Sequence, residues 1–214
     1  MIIFKGYSPT KLNTLVSKAD KKDTQDVKIA GWKEIKSYTK GNDIQDICGT
    51  IRFYQQYNKE IKCMKKGDIV FPVISALEDI EILYIEKEPE EMYLYDETVL
   101  VMRVTGTEID KKFTYIMLNS EPIRNGIIKM KWEVANRNRG KLKSNRVIPR
   151  LTIGLLSAIK IVNLTEQEKF EIVREYEDLR KAKDDFTKKI NKLQTQDKDK
   201  SAVIWFQDNK NNNG

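Results

Sequence analysis

The sequence predicts an α+β fold, in which a domain built on a mixed sheet is followed by one long, projecting C-terminal helix. Short segments rich in β-branched and aromatic residues recur between turn residues through the first 164 residues, which is typical of strands. A capping box at Thr165–Glu168 then opens a heptad repeat of apolar residues that lasts to Leu193. We therefore predict a domain over 1–164, a coiled-coil-type helix over 165–194 and a disordered tail over 195–214.

Composition limits the class of protein. Of the 214 residues, 40% are apolar, which is enough for the core of one domain with an appendage. No run of about 18 apolar residues occurs, and the first residues lack the pattern of a signal peptide, so neither a transmembrane helix nor a leader is expected. Cys48 and Cys63 have neither zinc-type nor CxxC spacing, which favours free thiols. We expect a cytoplasmic protein without a bound metal.

Strands are predicted at intervals in the first half of the domain. A strand and turn are expected at Val27–Ile35, an alternating strand at Gly49–Tyr57 and a buried strand at Ile69–Ile74. Within the last of these, Pro72 indicates an edge or a bulge. The preceding Lys65–Asp68 segment is predicted to be a turn, because its glycine can adopt the required backbone angles.

The second half of the domain adds further strands and a helix. Strands are predicted at Ile80–Ile85, Thr98–Val104 and Leu155–Val162. Between them, Lys111–Ser120 has apolar residues at helical spacing and is predicted to be a helix that ends before Glu121–Pro122. A basic loop is expected between this helix and the final strand.

The C-terminal helix carries one apolar stripe. The stripe steps by four, three, seven, four and three residues, and the skipped step falls on a lysine, so it is a heptad seam with one polar interruption. The seam consists of Ile172, Tyr176, Leu179, Lys183, Phe186, Ile190 and Leu193. At 1.5 Å per residue such a helix is about 43 Å long, too long to pack wholly on a domain of this size. We expect it to project and to meet a partner helix.

Charge is polarised along the same helix. Glu166–Asp178 contains six acidic and two basic residues, whereas Arg180–Lys192 contains six basic and two acidic residues. One interpretation is that these charges complement the helix macrodipole. The other is antiparallel pairing, in which the acidic half of one helix faces the basic half of another.

One segment concentrates the positive charge of the chain. Between residues 124 and 150 lie nine basic residues and one acid, so this window nets +8 while the whole chain nets +7. The basic residues are Arg124, Lys129, Lys131, Arg137, Arg139, Lys141, Lys143, Arg146 and Arg150. Lysine and arginine neutralise phosphates and release counterions, which favours nucleic acid as the partner. A solvated basic loop is the alternative.

Two polar segments are the candidate DNA contacts. The amides of Gln55, Gln56 and Asn58 can pair with adenine edges, and Arg137, Arg139 and Arg146 suit guanine or phosphate. The other candidates in the basic segment are Lys131, Asn136, Asn138, Lys141 and Lys143. An ordinary exposed strand end is the alternative for the glutamines.

The sequence lacks the motifs of several enzyme classes. It contains no histidine, which excludes Ser-His-Asp triads, HExxH zinc sites and HNH-type nucleases. Nucleotide-binding GxxxxGK[ST] and GxGxxG loops and an NPPY-type methyltransferase motif are absent as well. The triplets Glu34-Ile35-Lys36 and Glu60-Ile61-Lys62 leave a carboxylate-metal nuclease open, although solvated strands in so charged a chain supply such triplets readily. We expect a chain without enzymatic activity.

Three motifs follow one another in an order that resembles a known family. They are KKGDI at 65–69, IPRLT at 148–152 and EQEKFEI at 166–172. With the predicted strand, helix and basic loop between them, they resemble one half of the DNA sequence-specificity subunit of type I restriction–modification systems. The resemblance covers about residues 45–193, and the Trp-containing start usual in the family is absent.

The resemblance implies a function and partners. In this family a complete subunit has two target recognition domains joined by two long antiparallel helices, and each domain reads half of a split target in double-stranded DNA. The subunit is not an enzyme and holds no cofactor; it docks methyltransferase subunits, which bind S-adenosylmethionine. With one domain and one helix, this chain is expected to homodimerise and to read an inverted repeat. A non-catalytic protein whose helix binds a methyltransferase is the alternative.

Overall fold

The computed structural model describes residues 3–7, 24–41, 49–54, 63–74, 80–91, 93–139, 150–162 and 164–211. Within these ranges the strands are β1 (Ile3–Tyr7), β2 (Thr24–Ala30), β3 (Gly49–Tyr54), β4 (Asp68–Pro72), β5 (Leu83–Tyr84), β6 (Tyr93–Tyr95) and β7 (Val99–Thr105). The helices are α1 (Trp32–Tyr38), α2 (Glu108–Asn119), α3 (Glu121–Arg139), α4 (Ile153–Ser157) and α5 (Glu166–Asn211). The predicted α+β class with mixed pairing and a long C-terminal helix is confirmed.

The strands form two sheets. The four-stranded sheet has the order β1-β7-β4-β5 and is antiparallel throughout. The three-stranded sheet has the order β3-β2-β6, in which β2 pairs antiparallel with β3 and parallel with β6. At the centre of the larger sheet, the register places Asp68 opposite Arg103.

The two central strands of the larger sheet alternate their side chains between two hydrophobic cores. On β4, Ile69 and Phe71 lie in the first core and Val70 lies in the second. On β7, Leu100, Met102 and Val104 lie in the first core, and Val99 and Val101 lie in the second. This alternation follows from the two-residue period of a strand whose faces are both buried.

The two cores define the layers of the domain. The first core is completed by helical residues, including Leu118 of α2, Ile127 of α3 and Leu156 of α4. The second is completed by Ile35 of α1 and by Tyr93 and Tyr95 of β6. The four-stranded sheet is therefore covered by helices α2, α3 and α4 on one face, and by α1 and the smaller sheet on the other.

The chain divides into two compact units. The first comprises Met1–Lys169 and the second Phe170–Gly214. Helix α5 belongs to both, because its first turn lies in the first unit and the remainder makes up the second.

Helix α5 is longer than its sequence pattern indicated. It continues to Asn211, so the predicted end near Leu193 is wrong, and most of the segment predicted to be a disordered tail is helical. The apolar heptads stop at Leu193, but neither glycine nor proline occurs between residues 165 and 211. Polar residues without a helix breaker can therefore extend a helix that is already nucleated.

Two other predictions about the second half of the domain are wrong. The Leu155–Val162 segment is not a strand, because its first residues belong to helix α4. The Thr152 hydroxyl caps the first turn of this helix by accepting a hydrogen bond from the Leu155 amide. A short apolar run fits both a strand and a buried helix, and here the cap favours the helix. Further upstream, Glu121–Pro122 begins α3 instead of a loop. Proline is tolerated in the first helical turn because amides there have no intrahelical partner.

The remaining strand predictions hold in part. The Lys65–Asp68 turn and the strands at β2, β3, β4 and β7 are present, with ends that differ by a few residues. Of the predicted Ile80–Ile85 strand, only Leu83–Tyr84 pairs with a neighbour. The residues after Gly31 form helix α1 instead of a turn.

Candidate nucleic-acid interface

The turn before β4 depends on a glycine. Gly67 has a φ of +86°, and a Cβ atom there would lie 2.5 Å from the Cδ atom of Lys111. Its amide donates a hydrogen bond of 2.8 Å to the carbonyl of Ile85. The turn is therefore bonded to the residue that follows β5 and lies close to helix α2, and other residues would be strained at this position.

The aspartate that follows this glycine is the centre of a buried polar network. Asp68 is fully buried, and its carboxylate accepts two hydrogen bonds of 2.7 Å from Arg103, one from Nε and one from Nη2. The Tyr95 hydroxyl and the Lys65 amide each donate a further bond of 2.9 Å to Oδ2. A buried carboxylate needs such compensation, and the two-pronged arginine contact is among the strongest that proteins make.

This network joins the two sheets. Asp68 and Arg103 lie on neighbouring strands of the larger sheet, whereas Tyr95 lies on β6 of the smaller one. Arg103 Nη2 also donates 2.9 Å to the carbonyl of Cys63, which forms a bridge to β6. Burial, followed by the charge of Asp68, raises the pKa of Tyr95 well above its usual value, so the tyrosine remains a donor. Burial also raises the pKa of the Cys63 thiol.

A second ion pair fixes the beginning of α5 to the beginning of α2. The ammonium group of Lys169 is 2.7 Å from Asp110 Oδ1 and 2.7 Å from Glu166 Oε1. Both Lys169 and Asp110 are buried. The hydrogen bond from Lys169 lowers the pKa of Asp110, and the bonds to Asp110 and Glu166 raise the pKa of Lys169.

Both helix starts at this junction are capped. The predicted Thr165–Glu168 capping box is confirmed, with the Glu168 amide 3.3 Å from the Thr165 hydroxyl and the Thr165 amide 2.8 Å from the Glu168 carboxylate. Thr107 and Asp110 form the same arrangement at α2. Asp110 thus both caps its own helix and receives Lys169, so the first turn of α5 is tied to the domain.

Replacing Lys169 with methionine is expected to destabilise the domain by about 3 kcal/mol near pH 7, because the buried carboxylate of Asp110 loses its ammonium partner. The pKa of Asp110 is lowered in the folded state, so this stabilisation is fully present above its unfolded-state pKa of about 4 and is lost as pH falls through the lower folded-state pKa. Urea unfolding of the unmodified chain and of the Lys169 variant from pH 7 to pH 2 should show that the difference in their free energies of unfolding becomes smaller below pH 4.

The control is the same change at Lys160, which is exposed. A Lys169 effect that does not vary with pH would contradict this account.

Helix α3 carries the first part of the basic segment and has two distinct faces. The buried face contains Ile127, Lys131 and Ala135, at the four-residue spacing of one helical stripe. The exposed face contains Asn125, Lys129, Glu133 and Asn136. The described part of the segment therefore presents two amides, one lysine and one glutamate to solvent from a helix, where a loop was predicted.

Lys131, one of the predicted DNA contacts, lies on the buried face of α3. Only 3% of its surface is exposed, and burial lowers the pKa of its ammonium group. Its spacing from Ile127 places it on the face that packs on the domain, a placement that charge alone could not indicate.

The structure describes only some of the other predicted DNA contacts. Asn136 is exposed on α3, and Arg137, Asn138 and Arg139 form the last residues of that helix. The remaining predicted contacts lie outside the described residues; they are Gln55, Gln56, Asn58, Lys141, Lys143 and Arg146. Arg150 is exposed where the description of the chain resumes.

The heptad seam of α5 is only partly available to a partner. Ile172 and Tyr176 are partly buried, whereas the later positions are open to solvent. The exposed fractions are 72% for Leu179, 64% for Phe186, 39% for Ile190 and 61% for Leu193. Lys183, between them, is also exposed. The exposed apolar stripe that could bind a second protein therefore begins at Leu179, the third residue of the predicted seam, instead of at Ile172.

The features that left a metal-dependent nuclease open have structural roles in the described chain. The carboxylate of Glu34 accepts a hydrogen bond of 3.0 Å from the Gly31 amide at the start of α1, and Lys36 pairs with Glu81. This triplet is helical, not part of a strand. Glu60-Ile61-Lys62 lies outside the described residues. Among the residues that the structure describes, no group of three or more His, Cys, Asp or Glu side chains is arranged to hold a metal ion.

No described helix combines the length and the apolarity needed to cross a membrane. Comparison of the sequence with protein-family models and with curated proteins found no match. Roles for individual residues therefore follow from the geometry and charge of this chain alone.

Proposed function

We propose that this chain is the DNA sequence-specificity subunit of a type I restriction–modification system, in a form with one target recognition domain. In this role it binds double-stranded DNA and directs methyltransferase and restriction subunits to their target without catalysing a reaction itself. The observation that carries the proposal is the charge distribution, because residues 124–150 net +8 while the rest of the chain nets −1.

Helix α3 supports this proposal by the way it presents the segment. Asn125, Lys129 and Asn136 lie on its solvent face, and the helix ends in Arg137–Arg139. Asparagine can pair with adenine, and arginine or lysine can bind guanine or phosphate. Basic residues in the last turn also complement the helix macrodipole, so a direct test must separate binding from helix stability.

The segments that carry the family resemblance have structural roles that fit a recognition domain attached to a helix. KKGDI contains the Gly67 turn and the buried Asp68 that joins the two sheets. EQEKFEI contains Lys169, which ties the helix start to α2.

The proposal includes three partners. They are double-stranded DNA, a methyltransferase subunit that carries the S-adenosylmethionine, and a second copy of this chain. The exposed stripe from Leu179 to Leu193 is the surface available for one of the protein partners.

Replacing Arg137, Arg139 and Lys141 together with alanine is expected to reduce the salt dependence of DNA binding. Each phosphate contact contributes about −0.9 to the slope of log K against log salt, so the slope should become shallower by up to about 2.7. Fluorescence anisotropy on a random-sequence duplex over a range of salt concentrations measures this slope.

The matched control for this experiment removes the same charge elsewhere. Lys181, Lys188 and Lys192 are exposed on α5, outside the basic segment, and their replacement with alanine should leave the slope unchanged. Circular dichroism checks that helix content is preserved in both variants. An unchanged slope for the Arg137, Arg139 and Lys141 variant would remove the segment from the DNA interface.

The isolated chain is expected neither to cleave nor to methylate DNA, because its sequence has no histidine, nucleotide loop or methyltransferase motif. Incubation with plasmid and Mg²⁺, and separately with duplex DNA and radiolabelled S-adenosylmethionine, tests both activities. Cleavage would favour the nuclease alternative, and methyl transfer by the pure chain would contradict the proposed division of labour between subunits.

A further inference from the structure

We propose that helix α3 lies in the major groove of the DNA and that Glu133, on its exposed face, selects a cytosine. The residues that meet base edges are Asn125, Lys129, Glu133 and Asn136, which together form the reading stripe. This inference rests on the proposed function, which names double-stranded DNA as a partner but assigns neither the groove nor the base that each residue selects.

The reading stripe has the placement that a groove requires. Its members are spaced by four, four and three residues, so they lie within about 80° of one another around the helix, and all are exposed. The opposite face of α3 is buried on the domain, for example at Ile127 and Ala135. A helix with its side chains is about 10–12 Å wide and the major groove is about 12 Å wide, so the free face can enter it.

Every residue of the stripe has a base-edge partner in the major groove. The carboxamides of Asn125 and Asn136 match adenine, and the ammonium group of Lys129 matches the O6 and N7 acceptors of guanine. The carboxylate of Glu133 can accept a hydrogen bond from the N4 amino group of cytosine, which is presented in the major groove. The stripe is about 17 Å long, and recognition helices commonly place three or four side chains on base edges.

Glu133 favours base readout over contact with phosphates alone. It is the one acidic residue between positions 124 and 150, and it lies within the exposed stripe, between Lys129 and Asn136. A carboxylate is repelled by phosphates, so a surface that only neutralised the DNA backbone would gain nothing from it. Ion pairs four residues apart also stabilise helices, and the experiment must therefore separate readout from helix stability.

A glycine beside the stripe independently indicates close approach of a partner. Gly126 lies within α3, about 60° around the helix from Lys129. A Cβ atom at this position would meet no described atom within 4 Å, so packing in the described chain does not require glycine here. Glycine in a helix is less favourable than alanine, and one common use of it is to let a ligand approach the backbone closely.

Selection of binding sites from randomised duplex DNA tests the reading stripe in the full-length chain. The unmodified chain is expected to select fixed cytosine and guanine positions. Glu133→Gln should reduce the preference for cytosine at one position by about tenfold, and Lys129→Gln should do the same at one guanine, with the other positions unchanged. Methylation of that guanine at N7, which lies in the major groove, should weaken binding of the unmodified chain but not of the Lys129 variant.

The matched control and a second readout exclude a merely structural role. Glu97 is exposed outside the basic segment, so Glu97→Gln should leave the selected sequence unchanged. Because Glu133→Gln removes a negative charge, its affinity for random-sequence duplex should stay the same or rise while its preference for cytosine falls. A variant that had lost helix structure would lose both, and circular dichroism detects that loss.

Gly126→Ala is expected to have opposite effects on stability and on recognition. The midpoint of thermal unfolding should rise by about 2 °C, because alanine favours the helix. Affinity for the selected site should fall, because the added methyl group stands between the helix and the groove. An alanine variant that binds the selected site as tightly as the unmodified chain would contradict close approach at this position.

The outcomes distinguish this inference from the proposed function. A selected sequence that neither the Glu133 nor the Lys129 variant alters overturns the role of α3, while the proposed function stands because DNA is still read. Binding with a steep salt slope but no sequence preference overturns both the reading stripe and the specificity role. A chain that binds no duplex overturns the proposed function together with the inference.

Discussion

Replacing Arg103 with leucine is expected to lower the free energy of unfolding by about 3–5 kcal/mol, because the fully buried carboxylate of Asp68 loses the guanidinium group that compensates its charge. The Tyr95 hydroxyl and the Lys65 amide would remain, but neither carries an opposite charge close to Asp68. Urea unfolding followed by circular dichroism measures the change. A loss of this size would leave a domain of ordinary stability close to unfolding.

An exposed ion pair provides the matched control. Lys36 and Glu81 also form a close pair, but more than a third of each side chain is exposed. Replacing Lys36 with leucine should change the free energy of unfolding by at most about 1 kcal/mol, since water screens such pairs. If the two leucine variants were equally stable, burial of Asp68 would not have the energetic consequence expected here.

A double variant separates the charge from the packing. Changing Asp68 to asparagine in the Arg103→Leu background removes the unpaired buried charge and should recover part of the lost stability. The two residues touch, so their effects are expected not to add. Additive losses would instead assign the effect of Arg103 to its packing against the two sheets.

The polar networks show which contacts a sequence pattern can predict and which it cannot. The Thr165–Glu168 capping box and the Gly67 turn were predictable, because all of their atoms lie within four residues of chain. The Asp68–Arg103 pair was not predictable, since the two residues are 35 positions apart and meet only through the register of β4 with β7. The capping box at Thr107–Asp110 is a local signal of the same kind, and it marks the start of α2.

The errors in secondary structure have a common cause. The α4 region is a short apolar run that suits a strand or a buried helix equally, so its Thr152 cap and its packing in the first core decided the outcome. At α3, Pro122 was interpreted as a helix terminator, although proline is equally compatible with a first turn. In both cases the role of the residue depends on where the helix begins, which neighbouring elements determine.

At the candidate interface, the sequence gives the charge of the segment but does not show which of its lysines are exposed. Counting charges located the basic segment but could not distinguish Lys129, which is exposed, from Lys131, which is buried two residues later. Only the 3.6-residue period of α3 separates them, and the segment was not predicted to be helical. Similarly, the heptad pattern identified the α5 seam, whereas the burial near Lys169 depends on tertiary contacts that the pattern does not contain.

Changing Leu179 and Ile190 to glutamate is expected to convert a dimer into monomers. Both residues are exposed members of the seam, so the double variant replaces four apolar side chains of the proposed dimer with carboxylates. Each loses about 1.5–3 kcal/mol of burial, and a total of at least about 4 kcal/mol raises the dimer Kd about a thousandfold. Sedimentation equilibrium or light scattering over a range of protein concentrations measures the change.

Asn191 and Thr195 supply a control with the same change in charge, because both are exposed and neither belongs to the seam. Their replacement with glutamate should leave the dimer intact. In a DNA-binding assay, the seam variant should lose affinity for an inverted-repeat site and retain weak binding to a single half-site, since each monomer keeps its basic segment but loses the avidity of two linked domains. If the intact chain is a monomer even at high concentration, the exposed stripe must serve a different subunit, and the half-length dimer loses its main support.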